Sequence, residues 1–141
     1  MDLTENTETD WFCILPLFRL DTLGVSCVSP SGDLYVYRGH DGFTFHGGLY
    51  KLSYLKWNQL SGESDVNGPM KKNACGMVCF NKKEIAIIGG YGPPPASLQP
   101  GASFIKDKRY TSGQGWTNEV HIFDIDECKF SSLISIDKLP F

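Results

Sequence analysis

One pattern occurs twice in this chain. A short apolar run stops at glycine, a loop of irregular length follows, a second run begins, and one large aromatic ring closes the unit. The first copy reads Gly24-Val25, Leu34-Tyr35-Val36-Tyr37, Arg38-Gly39, Leu49-Tyr50-Lys51-Leu52 and Trp57. The second reads Gly76-Met77, Ile85-Ala86-Ile87-Ile88, Gly89-Gly90, Val120-His121-Ile122-Phe123 and Phe130. Trp11 precedes Trp57 by 46 residues and reads as the closing aromatic of an earlier copy. That period suits units of four strands, which bury their faces only against neighbouring units.

Everything between the repeats points to strands and turns. The runs are rich in β-branched and aromatic residues, and Ser31-Gly32-Asp33 is a turn signal just before one of them. No segment carries a helical stripe over three turns, and 15 glycines with 8 prolines supply many turns. The expected class is all-β. A net charge of −3 does not suggest a nucleic-acid binder, which usually shows a basic face. No apolar run approaches the roughly 20 residues that span a bilayer, so no membrane is expected as a partner. The acidic, polar start MDLTENTETD resembles neither a secretory signal nor a transit peptide, which points to cytosol or nucleus. Five cysteines without a Cys-x-x-Cys read as packed thiols; Cys75, Cys79 and His121 make a poor zinc set.

An apolar strand, Gly-Gly, a variable loop, a second strand ending in aspartate, and an aromatic together resemble the kelch motif. The second copy carries it best, from Gly76 through Gly89-Gly90 and Asp124 to Phe130. The first copy departs from it, with Arg38 in place of the first glycine and Ser53 where aspartate is usual. The resemblance covers Leu23 to Ile134 and implies a partial kelch β-propeller of four-stranded antiparallel blades. It divides the chain into a possible blade remnant at 1–22, a first blade at 23–60, a link at 61–75, a second blade at 76–134 with a long loop at 91–116, and a truncated link at 135–141. Gly39, Trp57, Gly89, Gly90, Trp116, Asp124 and Phe130 would be its structural residues. Two blades alone would expose apolar flanks, which favours self-association.

GGYG followed by a long insert and GW-x-NE-V-H-I-F-D looks most like kelch domain-containing substrate receptors of cullin-based ubiquitin ligases. The resemblance implies a protein–protein interaction module, a substrate adaptor with a protein or peptide partner and no cofactor. A competing reading is the scaffold of a kelch-propeller enzyme of oxidase or specifier type, and a third is a non-functional fragment.

Candidate sites follow from chemistry. GGYG lacks the Lys-Ser/Thr of a phosphate loop, and Pro93-Pro94-Pro95 supply no N–H donors, so the glycines read as a strand terminator. Long loops on rigid scaffolds carry function. The insert holds Tyr91, Lys106, Lys108 and Arg109, which could hold an acidic peptide or a C-terminal carboxylate, or could be a solvated loop. Arg38 beside His40 could bind a carboxylate at the channel mouth, or could mark a diverged repeat. His40 and His46 read as part of a flexible loop, and His121 as an outward or hydrogen-bonded strand residue. No catalytic or metal-ligating set emerges.

Overall fold

The computed structural model describes residues 24–62 and 67–131. The expected remnant at 1–22 with Trp11, the end of the second copy at 132–134 and the link at 135–141 lie outside the described residues. Among them there is no helix.

β1 (Val25–Val28), β2 (Leu34–Tyr37), β3 (Leu49–Ser53) and β4 (Lys56–Ser61) form one antiparallel sheet in sequence order. β5 (Gly76–Cys79) and β6 (Glu84–Ile88) start a second. The insert supplies β7 (Tyr91–Gly92), β8 (Phe104–Lys106) and β9 (Gly115–Thr117), and β10 (Val120–Asp124) and β11 (Lys129–Phe130) complete it. The second sheet runs β5-β6-β10-β11, the same meander with the insert left out. The sheets thus share topology, as the repeated pattern predicts, and they remain open. Turn chemistry fixes the hairpins. Asn81 Oδ1 accepts the N–H groups of Lys83 and Glu84, each at 2.8 Å. Asp124 Oδ1 accepts the Glu127 N–H at 2.9 Å, the turn role expected of that aspartate.

The core lies between the sheets, where β1 packs against β5. It joins Tyr35, Tyr37 and Leu49 of the first sheet to Ile85, Ile87, Phe123 and Phe130 of the second. Strand side chains alternate between faces, so the register shows how the sheets meet. In the second sheet Phe130 pairs with Phe123 and Phe123 with Ile85, one row of one face. The corresponding row of the first sheet is Leu34, Leu52 and Trp57. That row lies on the face opposite Tyr35 and Tyr37. The two sheets therefore stack face to back. Burial of each of these large side chains contributes about 1.5–3 kcal/mol.

The same register gives the two closing rings different surroundings. Phe130 fills the space between the described sheets, 5.0 Å from Phe123. Trp57 does not, because its row faces away from the second sheet. The glycines behave as the sequence suggests: Gly89 and Gly90 adopt φ of +63° and +117°, and a Cβ on Gly90 would lie 2.8 Å from Lys72 Cδ. In the first copy Gly39 is buried, and the nearby glycines with positive φ are Gly42 and Gly48. The residues 91–116 are not a plain loop. They hold two strands and part of a third, sheet order β7-β9-β8, reaching Thr117. Nor is 61–75 a passive link: Lys72 and Asn73 are buried, and Asn73 bridges Tyr91.

Replacing Phe130 by alanine is expected to lower the unfolding free energy by about 3–5 kcal/mol in urea titrations. Phe43→Ala, at a ring 90% exposed, is expected to change it by less than about 0.5 kcal/mol. Equal effects would contradict a core between the sheets.

Candidate functional site

Two segments meet at one rim: residues 38–48 from the first sheet and the insert from the second. Residues 38–48 are tied rather than loose, which corrects the flexible-loop reading. Asp41 Oδ1 accepts the N–H groups of Phe43 and Thr44, both at 2.8 Å, and Asp41 Oδ2 lies 2.9 Å from His46 Nε2. The His46 hydrogen bond, with these backbone donors, holds the Asp41 carboxyl well below the usual range. The Gly42 N–H donates to His40 Nδ1 at 3.0 Å. Arg38 opens the loop, half-buried, its N–H donating to the Gly48 carbonyl at 3.3 Å.

This turn sets the His40 ring edge-on to Phe45, with centroids 4.8 Å apart. Phe45 stands 6.0 Å from Tyr91, and Tyr91 5.2 Å from Trp116. The Arg109 guanidinium lies 5.9 Å over the Trp116 ring and 5.7 Å over Tyr110. An aromatic row thus crosses from the first sheet to the second and ends on an arginine. Cross-strand pairing puts Tyr91, Trp116 and Ile105 side by side on one face of the small sheet. Phe43, Ile105, Tyr110 and Trp116 are exposed there. Trp116 is therefore a surface residue of the insert.

A buried carboxylate holds the row together. Asp107 accepts the Tyr91 hydroxyl at 2.9 Å and, from Arg109, Nε at 3.0 Å, Nη2 at 2.9 Å and the backbone N–H at 3.1 Å. Arg109 chiefly, then Tyr91, keeps the Asp107 carboxyl well below the usual range. The residues of the expected basic cluster are placed differently from one another. Arg109 already has its carboxylate, so it presents a fixed, charge-compensated plane rather than an open anion receptor. Lys106 pairs with Gly115, which puts it on the face opposite Trp116. Lys108 is exposed on the turn.

On its other side the insert walls a cavity of about 460 Å³, lined among others by Met70, Leu98, Gln99, Glu119 and His121. His121 is neither outward nor hydrogen-bonded through Nδ1. It is 5% exposed, its Nδ1 has no partner, and its ring meets Phe130 edge-on at 6.3 Å. Burial, then the charge of Lys72, pushes it down to about 3. Lys72 itself is fully buried with no partner for Nζ, and burial lowers it too.

Of the described thiols, Cys27, Cys75 and Cys79 are half-buried, while Cys128 is exposed and departs from the packed-thiol reading; burial pushes Cys27 up to about 11 and also raises Cys75 and Cys79. Among the described residues no group of three or more His, Cys, Asp or Glu could hold a metal ion. Phe45, Asp107 and Glu119 were missed from the sequence. Asp107 carries a faint signal, an acid set among Lys106, Lys108 and Arg109. No protein-family model matches the chain, and no curated protein matches it.

His121 makes stability pH-dependent with a definite sign. Its folded value, about 3, is below its ordinary 6.5, so the unfolded chain takes up the proton first. Stability is unaffected by this group above about pH 6.5 and is lost progressively from there towards pH 3. His121→Gln is expected to flatten the dependence of unfolding free energy on pH between 6.5 and 4, measured by urea titration. An unchanged slope would contradict a buried neutral imidazole.

Proposed function

We propose that this chain is a protein-recognition module of kelch-propeller type. The rim formed by residues 40–45 and 91–117 is its gripping surface. The aromatic row ending on Arg109 carries the reading. Tyrosine, tryptophan and arginine are the side chains that most often dominate protein interfaces: the two aromatics offer a large rigid area at small entropic cost, and the planar guanidinium stacks on them. Here Asp107 fixes Tyr91 and Arg109 before any partner arrives, which reduces the ordering cost of binding.

The propeller assignment draws support from the face-to-back stacking. In a propeller each blade shows one face to the blade before it and the other to the blade after it. Trp57 and Phe130 then do the same job one blade apart. The resemblance of the second copy extends the reading to a substrate adaptor for a cullin-based ubiquitin ligase, acting in cytosol or nucleus. In that role the rim would hold the protein to be modified. The expectation of a free carboxylate receptor gives way to a surface for a peptide with apolar or aromatic side chains, stacked on Trp116 and Tyr91.

Selection of a displayed random-peptide library on the full chain, followed by affinity measurement, tests this. Trp116→Ala and Arg109→Ala are each expected to weaken the selected peptides at least about tenfold, roughly 1.4 kcal/mol. Lys106→Ala, on the opposite face of the small sheet, is expected to change affinity less than about twofold. Peptides whose affinity ignores Trp116 and Arg109 would place recognition elsewhere.

A further inference from the structure

The cavity between the link and the insert has built walls. Glu119 Oε2 accepts the Gln99 N–H at 2.9 Å, and Gln99 Oε1 accepts the Val120 N–H at 3.1 Å, so the insert is locked onto the start of β10. The Tyr37 hydroxyl donates to the Met70 carbonyl at 2.8 Å and fixes the opposite wall. About 460 Å³ lies within the size range of ligand sites. The interior is mixed: Met70, Leu98 and prolines give an apolar sleeve, while Glu119 and His121 give polar groups at buried positions.

The polar groups are mostly acceptors with capacity to spare. A carboxylate offers about four acceptor positions. Glu119 uses one on the Gln99 N–H, and its other oxygen has only the Thr117 hydroxyl at 3.5 Å. The His121 ring adds a buried aromatic surface to the same wall. A buried carboxylate with unmet acceptor positions costs stability, which a ligand can recover. We propose that this cavity receives the cationic end of an alkyl chain, a guanidinium foremost, with Glu119 as its charge partner. The apolar sleeve takes the methylene stem, and the forked donors of a guanidinium match a carboxylate edge. Lys72 also feels the charge of Glu119 but is not among the lining residues, and its burial weakens its hold on a proton. The inference stands apart from the aromatic rim.

Calorimetric titration of the full chain with Nα-acetyl-arginine amide at pH 7.5 tests it, with the uncharged citrulline counterpart as control. The arginine compound is expected to bind at least tenfold tighter than citrulline. Glu119→Gln keeps an acceptor for the Gln99 N–H and is expected to weaken arginine binding at least tenfold. Ser97→Trp, at an exposed wall position, is expected to block it without touching Glu119. Trp116→Ala is expected to leave it unchanged, which separates this site from the rim. A short peptide with a central arginine tells the source: tighter binding than the amide marks a protein side chain, equal binding a free guanidinium compound, and both uphold the site. Absence of binding by amide and peptide alike, equal binding of citrulline, or indifference to both Glu119→Gln and Ser97→Trp would overturn it.

Discussion

The structure depends on the burial of one apolar face against another that is not its equivalent. Its strands are two to six residues long, too short for any single hairpin to persist in water. Tyr35, Tyr37 and Leu49 gain their burial from Ile85, Ile87, Phe123 and Phe130, and the reverse holds. Because the two sheets stack face to back, the contact does not use up matching surfaces in pairs. A stack of this kind can be extended at either end by a further unit of the same pattern, which is the logic of repeat proteins.

That contact also sets the rim. It brings residues 38–48 of the first sheet alongside the insert of the second, so Phe45 reaches Tyr91 across the boundary between repeats. Neither segment could make the aromatic row alone. The glycines serve this arrangement by letting backbone approach backbone: a Cβ on Gly92 would stand 2.2 Å from the Lys71 carbonyl, and one on Gly115 2.1 Å from that of Ile105. The small sheet is packed through its own glycines, which leaves its large side chains free to face outward. Asp107 then converts an exposed set of rings and one arginine into a fixed surface. Its carboxylate takes hydrogen bonds from both Tyr91 and Arg109.

The sheets were legible in the sequence because period-two burial and turn residues are local signals. Leu34–Tyr37, Ile85–Ile88 and Val120–Asp124 announce themselves by composition, and Gly89-Gly90 by their spacing from the first copy. The insert was not legible as a sheet. Phe104–Lys106 and Gly115–Thr117 are three residues each, too short for periodicity, and two of their residues are lysine and glycine. Buried charge was equally hidden. Lys72 and Glu119 carry no local sign of burial in the sequence, yet tertiary packing buries both. His121 alternated with apolar neighbours, and that alternation placed it on the inner face, beside Ile87 in the register. The basic cluster is contiguous in sequence but divided in the structure. Strand pairing separates Lys106 from Trp116, and Asp107 takes Arg109 out of the charge count.

The stacking of the sheets can be observed directly by cross-relaxation between side-chain protons in solution. Ring protons of Tyr35 and Tyr37 are expected to show nuclear Overhauser effects to side chains of the second-sheet core set, Ile85, Ile87, Phe123 and Phe130. If the Ile85–Phe130 face instead cross-relaxed with Leu34, Leu52 and Trp57, the sheets would meet through equivalent faces as a two-fold sandwich. That result would contradict the face-to-back stack, and with it both the propeller reading and the rim built upon it.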